Sequence, residues 1–521
     1  MKKHCIFYMA MTSLLMTSIV FGADIKVNRT GFPIVNKKIT LKGFARLDPQ
    51  HGPYDEMTLW KDYEKLTNIH IEWDTPGKKN YKERKNLVLA SGDLPDFFMK
   101  GVLTVGDVVK YGTYGALIPL ENLIDQHAPN LKKILDEYPE IRKNITAPDG
   151  HIYSLPRIVN SPSSQVWRNP LLNMTWIKRL GLKVPKTSDE FLNMLRTFRD
   201  KDPNGNGNPN DEIPFTSHNY RWVLRSIAPM FGVKYDVGGF YQNDLYPMSV
   251  KNGKVHIQNA DPAFKKAMQY FAKMYQENLV DHEVFTHTAK DYFAKLAAGR
   301  VGFTPLSQPA NAGKYANDYD AIVPPKGPVG HQAWTFVNSN LSKVSTVSIT
   351  NANKYPEATM RWFDHFYGDE GATKLYLVKE GEFYTVDKNG KYHLHDKILH
   401  ADIGMEKYMG KHTIFPGGGA HGYYTDKQLI PINEGSLKLT YLPKIKPYLT
   451  KKVYNVPMRS LKDQELEDEI RADLDIYVTE MWAKFVAGEV SFDKWDKYAA
   501  TMKKMGLRKL ENIIQKAIFG K

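Results

Sequence analysis

The sequence predicts an α/β protein made of two discontinuous lobes joined by a hinge, with a ligand cleft between them. Three observations predict it. The chain up to Met99 alternates strand-like and helix-like patterns. Two later segments, "APDGHIYSLPRIV" (Ala147 to Val159) and "YDAIVPPKGPVG" (Tyr319 to Gly330), read as crossovers between structural units. The chain has 521 residues, 42% of them hydrophobic and 12% aromatic, which is enough to fill more than one core.

The elements follow in order. "KITLKGFARL" (Lys38 to Leu47) alternates as a strand does, and "PYDEMTLWKDYEKLTNI" sets Leu59, Tyr63 and Leu66 on one helical face. "IHIEW" (Ile69 to Trp73) is a second strand. "NYKERKNLVLASGDLPDFFMKG" reads as a helix ending at Gly92, a turn at Leu94–Pro95 and a short buried strand over Asp96–Met99. Such alternation implies a mainly parallel sheet. "GALIPLENLIDQHAPNLKKILDEYPEIRKNI" supplies short helices broken by proline. Beyond the first crossover, Thr187 and Glu190 form a capping box, and Phe191, Leu195 and Phe198 share a face. A helix in "DPAFKKAMQYFAKMYQENLV", a strand in "RVGFTPLSQPA", a helix pair in "YPEATMRWFDHFYGDEGATKLY" and a helical tail complete the chain. The expected division is a signal over 1–22, a first lobe over 23–155 and 322–378, and a second over 156–321 and 379–521.

Lys2 and Lys3, the apolar stretch from Cys5 to Phe21, and small residues at Val20 and Gly22 read as a secretory signal cleaved after Gly22. Cys5 is the only cysteine, so the mature chain is expected to hold no disulfide, thiol nucleophile or cysteine-bound metal. No cysteine stands at the cleavage point, and a free periplasmic monomer is expected rather than a lipid-anchored one. The net charge of +14 favours anionic partners. Secretion, and the lack of a basic run interleaved with aromatics, argue against nucleic acid and for an acidic small molecule or oligosaccharide.

One loop carries metal chemistry. "DPNGNGNPNDE" (Asp202 to Glu212) places oxygen-bearing side chains at alternate positions and follows D-x-[DN]-x-[DN]-G in full. The twelfth position, where an EF-hand has Glu, is Ile213. A contracted, structural Ca2+ site is expected, using the side chains of Asp202, Asn204, Asn206, Asp211 and Glu212 and the backbone oxygen of Asn208, with Asn210 as the alternative to Asp211. Other motifs are weaker. In "HEVFTH" the histidines His282 and His287 are five apart and miss the shared helical face of a zinc site. His393 and His395 read as an exposed strand face. "PGGGAHG" (Pro416 to Gly422) lacks the Lys-Ser/Thr of a phosphate loop but can let backbone approach a ligand. No G-x-S-x-G is present, and the acidic residues form no recognisable catalytic constellation.

"NLVLASGDLPDFF", "YGALIPLENLIDQHAPNLKKIL", "APDGHIYSLP", the stretch from Trp176 to Phe215 and "YPEATMRWFDHFY" together resemble extracellular solute-binding proteins of family 1. More narrowly, the chain is similar to periplasmic proteins that bind alginate oligosaccharides or unsaturated glycosaminoglycan disaccharides. The resemblance implies a periplasmic-binding-protein fold of the second type, no catalysis, delivery to permease subunits of an ABC importer in the inner membrane, and structural calcium at the loop. The family loop usually runs one residue shorter before its Asp-Glu pair, which keeps both Asn210 and Asp211 open as closing ligands. An acidic sugar needs cations for its carboxylate and aromatic faces for its rings. The cleft candidates are Arg46, Arg168, Arg221, Trp222, Arg225, Ser307, Gln308, Tyr384, His421 and Tyr423. Unsaturated glycosaminoglycan disaccharides of the chondroitin and hyaluronan type are the expected ligands. Alginate oligosaccharides are the alternative, and a secreted lyase or glycosidase on an acidic polysaccharide is the alternative from another class.

Overall fold

The structure is a computed structural model and describes residues 25–238, 244–307, 309–431 and 438–520. The expected signal, 1–22, lies outside the described residues. In chain order the strands are β1 (Ile39–Phe44), β2 (Ile69–Asp74), β3 (Phe97–Phe98), β4 (Leu155–Asn160), β5 (Asn169–Asn173), β6 (Ile213–Phe215), β7 (Met248–Lys251), β8 (Lys254–Ile257), β9 (Val301–Leu306), β10 (Tyr319–Ala321), β11 (Leu341–Ile349), β12 (Tyr384–Val386), β13 (Tyr392–Leu394) and β14 (Gly422–Thr425).

Lobe 1 holds a six-stranded sheet in the order β14-β4-β11-β3-β1-β2. β1 runs parallel to β2, with Ile39 opposite Ile69, and parallel to β3, with Phe44 opposite Phe98. The expected parallel sheet is therefore present, with the antiparallel β11 inserted between β3 and β4. The alternation read in Lys38 to Leu47 reflects burial: Ile39 and Leu41 face the core while Thr40 and Lys42 are exposed. Gly43 is required where the strands meet, because a Cβ there would lie 2.7 Å from the Phe97 ring and 2.8 Å from Trp73. The helix Tyr81–Ser91 ends on Gly92 in the left-handed region, as expected.

Lobe 2 holds a four-stranded sheet, β10-β5-β9-β6. β5 and β9 are buried along their whole length, between helices that include Ser188–Asp200, Pro262–Gln276 and Leu461–Ala487. Phe191, Leu195 and Phe198 all enter this core. The expected capping box at Thr187 is half formed. Thr187 Oγ1 accepts from the Glu190 amide, but the Glu190 carboxylate reaches back to the Lys186 amide instead of that of Thr187.

The hydrophobic clusters divide the chain differently from the expected boundaries. Residues Phe383 to Leu429, expected in lobe 2, supply Phe383, Leu394, Ile398, Met409 and Tyr424 to the lobe 1 core. Ile322, Trp334 and Phe336, expected in lobe 1, pack into lobe 2. "YDAIVPPKGPVG" is not a crossover, since its first three residues are β10. The actual connectors are 160–166 and 337–341, which run side by side where Val166 bridges Val337. The first leaves β4 through a short helix, Pro162–Gln165, and the second leads into β11, so neither is marked by a proline- and glycine-rich run. The long helix Leu461–Ala487 starts against lobe 1, with Leu461 packed beside Met458, Val108 and Phe98, and ends in the lobe 2 core at Phe485 and Val486.

Candidate functional site

On lobe 1, functional side chains gather at the carboxyl ends of the parallel strands, the usual place for ligands in open α/β sheets. Arg46, just past β1, donates from Nε to Asp48 at 3.0 Å and from its terminal nitrogens to the carbonyls of Lys100, Gly417 and Gly418. Lys100 lies past β3 and is fully buried. Its Nζ is 3.0 Å from Asp48 and also reaches the Ile414 and Pro416 carbonyls. These cations pin the "PGGGAHG" loop onto the strand ends. Gly419 is needed there, because a Cβ would lie 2.5 Å from the Lys100 carbonyl oxygen. Burial, partly offset by Asp48, pushes the Lys100 ammonium down to about 7. Burial also drives the nearby His51 imidazole down to about 3, reinforced by the Lys100 charge.

On lobe 2 the same role falls to an arginine–aromatic stack beside the connectors. The Arg168 guanidinium lies 4.4 Å from the Trp222 ring centroid and 5.1 Å from that of Trp167. Arg225 lies over Tyr235, Phe336 and Trp167. Asp244 ties this pair of elements together by accepting from Trp222 Nε1 at 3.0 Å and from Arg225. Trp222 and Arg225 are three apart on the helix Tyr220–Ile227 and so share a face. Ser307 follows β9 opposite Arg168, one position beyond the Asn169–Leu306 pair, and its carbonyl accepts from Asn169 Nδ2 at 3.0 Å. His218, ring centroid 5.0 Å from Trp222, is pushed down by burial and by Arg168.

Four expected residues stand apart. Arg221 points off the Trp222 face and donates to the Tyr220 hydroxyl at 3.2 Å. Tyr384 is buried in lobe 1 and packs edge-on against Tyr392. His421 is fully buried among Phe363, Phe366 and Tyr367, and burial alone drives it down to about 3. Tyr423 accepts from Asn160 Nδ2 at 2.9 Å beside the first connector. Gln308 lies outside the described residues. Sequence reasoning missed Lys100, Asp48, Trp167 and Asp244. Only the Trp167–Arg168 dipeptide could have flagged its member, since the others converge from distant segments.

The loop Asp202 to Glu212 folds around its own oxygens. Asp202 accepts from the amides of Gly205, Asn206 and Gly207, while Asn204 and Asn206 side chains donate to Asp211 at 3.0 Å. Gly205 and Gly207 both take positive φ. The Asn208 side chain accepts from the Asn210 amide. Arg300 holds the Asp211 carbonyl at 2.7 Å. Both Glu212 carboxylate oxygens are buried without a hydrogen-bond partner, and burial with Asp211 and Asp202 nearby raises this carboxyl. The donor set is all oxygen and the orphaned Glu212 needs a cation, so these residues fit calcium chemistry. Among the described residues no group of three or more His, Cys, Asp or Glu is arranged to hold a metal. Here the asparagines complete the set. His282 stacks on Tyr275 and His287 pairs with the Ser217 carbonyl, consistent with the rejected zinc motif.

Two α/β lobes joined by paired connectors define a periplasmic binding protein of the second type. Residues 51–373 match the bacterial extracellular solute-binding protein family, and the chain belongs to it. It is 29% identical over 530 residues to the fructooligosaccharide ABC transporter substrate-binding protein FusA of Streptococcus pneumoniae serotype 4, covering 95% of this chain and 92% of FusA. The FusA complex with kestose superimposes with a TM-score of 0.73 at 27% identity, over 92% of this chain and 98% of that one. FusA has also been solved as an EF-hand mutant in complex with fructo-nystose. The alginate-binding protein AlgQ2, solved without calcium ion, gives a TM-score of 0.72 at 25% identity, over 93% of this chain and 98% of that one. No helix among the described residues is long and apolar enough to cross a membrane.

Proposed function

We propose that this protein captures an acidic oligosaccharide in the periplasm and delivers it to the permease subunits of an ABC importer. The observation that carries the reading is the Arg168 guanidinium laid on Trp222 and Trp167 beside the connectors. Aromatic faces suit sugar rings, and a guanidinium already oriented by stacking suits a carboxylate. Arg46 holds the lobe 1 wall that closure of the lobes about the connectors would bring over the same ligand. Unsaturated glycosaminoglycan disaccharides are the favoured class, with alginate oligosaccharides as the alternative, in line with the likeness to AlgQ2. A neutral fructooligosaccharide is the reading favoured by the likeness to FusA.

Calorimetry against unsaturated chondroitin and hyaluronan disaccharides, alginate oligomers and kestose separates these readings. Binding of kestose alone would remove the acidic assignment. Incubation with hyaluronan, chondroitin and alginate should release no new double bonds or reducing ends, and turnover would make the protein a lyase or glycosidase. We further propose one structural Ca2+ held by Asp202, Asn204, Asn206, Asp211, Glu212 and the backbone of Asn208. It would neutralise the Glu212 carboxylate and tie the loop to the end of the helix Ser188–Asp200.

A further inference from the structure

Arg225 shares a helix face with Trp222, and its two terminal nitrogens are engaged, one donating to Asp244 and the other to the Thr335 carbonyl. Among the described residues its Nε has no hydrogen-bond partner, and neither do the Tyr235 hydroxyl and Thr335 Oγ1. The three belong to one cluster, since the guanidinium lies 4.7 Å from the Tyr235 ring centroid and is bonded to the Thr335 backbone. All three residues are at most 5% exposed. An unpaired buried polar group is costly, and three at one place call for a partner from outside the chain. Asp244, with a side chain 13% exposed, and the half-buried Trp222 connect the cluster to solvent.

We propose that Arg225 Nε, the Tyr235 hydroxyl and Thr335 Oγ1 form a subsite for a hydroxymethyl arm of the bound saccharide. The proposal rests on the oligosaccharide-capture reading above and names a substituent within it. Donor and acceptor counting selects the group. Arg225 Nε only donates, while the two hydroxyls donate or accept, so an oxygen with one proton satisfies all three. A carboxylate fits less well, because Asp244 already balances Arg225 and would repel a second anion. Burial pushes the Tyr235 hydroxyl up, which keeps it a neutral partner. The Arg225 guanidinium also lies against Phe336 and Trp167, and such apolar walls accept a methylene. Groups this deeply buried are reached by a slender arm and not by a sugar ring. The hexosamine of chondroitin and hyaluronan disaccharides carries such an arm. The uronates of alginate carry a carboxylate in its place.

The test is calorimetry on the wild-type chain, Tyr235→Phe, Thr335→Val and Thr335→Ser, with a melting curve of each free protein. The probes are unsaturated chondroitin disaccharides, unsulfated or sulfated on the hydroxymethyl arm, alginate oligomers and kestose. The wild type should bind the unsulfated disaccharide ~10-fold or more tightly than the arm-sulfated one, which also decides the matter if the variants fail to fold. Tyr235→Phe and Thr335→Val should each weaken the unsulfated disaccharide ~5- to 10-fold, and Thr335→Ser should keep the affinity. Neither loss should lower the melting temperature, because each removes a buried group that has no partner in the free chain. Unchanged affinity in both variants, or equal binding of the arm-sulfated form, overturns the subsite and leaves capture standing. A fall in melting temperature without loss of affinity identifies a structural water as the partner and overturns the subsite too. A wild type that binds only kestose overturns the acidic assignment, and the same variants then decide the subsite on the hydroxymethyl arms of kestose. A wild type that binds none of the probes overturns both proposals.

Discussion

Lobe 1 buries Lys100 and Asp48 completely beneath a glycine-rich loop, whereas lobe 2 keeps Arg168 half exposed on the face of Trp222. In lobe 1 the charges hold backbone: four carbonyls of residues 414–418 end on Arg46 and Lys100. In lobe 2 Arg168 and Arg225 also donate to carbonyls, those of Trp167 and Thr335, but their guanidiniums lie on aromatic rings and Asp244 accepts from Arg225. The contrast teaches that similar basic residues serve two ends: one set fixes the shape of a wall, and the other, on the proposed function, is the set that meets the ligand.

The comparison breaks first at Asp48. Asp48→Ala leaves Lys100 buried without its counter-charge and should cost about 3–5 kcal/mol in denaturant unfolding, while Asp244→Ala, with its partners nearer solvent, should cost less. Equal costs would mean that the fully buried Asp48 is no more strongly coupled to its partners than Asp244 is.

Calcium sharpens the comparison from the other side, because its loop belongs to lobe 2 alone. Saturating Ca2+ at ~100 times its dissociation constant should stabilise the chain by about 2.7 kcal/mol, read as a rise in melting temperature over a chelated sample. Glu212→Gln should abolish most of that rise. A chelator-insensitive melting curve for the wild type would remove the metal site.

Ligand affinity tests the lobe 2 surface directly. Arg168→Ala and Trp222→Ala should each weaken saccharide binding by ~30-fold or more, as central aromatic and arginine contacts do, with a much smaller change in the stability of the free protein. If stability falls as much as affinity, these residues pack lobe 2 instead of meeting the ligand.

A further effect lies in the acid limb of stability. His421 is neutral in the fold down to about pH 3, while in the unfolded chain it binds a proton below about 6.5. The unfolded state therefore takes up more protons as pH falls, and stability drops from pH 6.5 downward by about 1.4 kcal/mol per pH unit for this group. His51 and His365 are depressed in the same direction, so lobe 1 should dominate the loss. His421→Phe should flatten the slope between pH 6 and 4, and an unchanged slope would mean that His421 is hydrated in solution.

Much of the fold was legible because it is local. The periodicities around Leu59 and Phe191 report burial one element at a time, and Gly92 marks a helix end by its own stereochemistry. The lobe boundaries were not legible: proline and glycine in "YDAIVPPKGPVG" imitate a connector, whereas the real ones at 160–166 and 337–341 are short segments adjoining strands β4 and β11 that meet at the Val166–Val337 bridge. For the site, Arg46, Arg168, Trp222, Arg225 and Ser307 fall beside the strand ends or connectors. His421 does not, because a histidine after a glycine run looks the same in sequence whether it faces a cleft or a phenylalanine cluster.

The sequence by itself determined the α/β class, the family, and the oxygen-rich loop whose ligands lie within eleven consecutive residues. Adjacent residues carry that information because backbone geometry alone brings them together. Only the tertiary structure decided that Arg46, Lys100 and residues 414–418 form one wall. Those contacts span tens to hundreds of residues, and they exist only because parallel strands of lobe 1 end at a common edge and the chain crosses between lobes beside it.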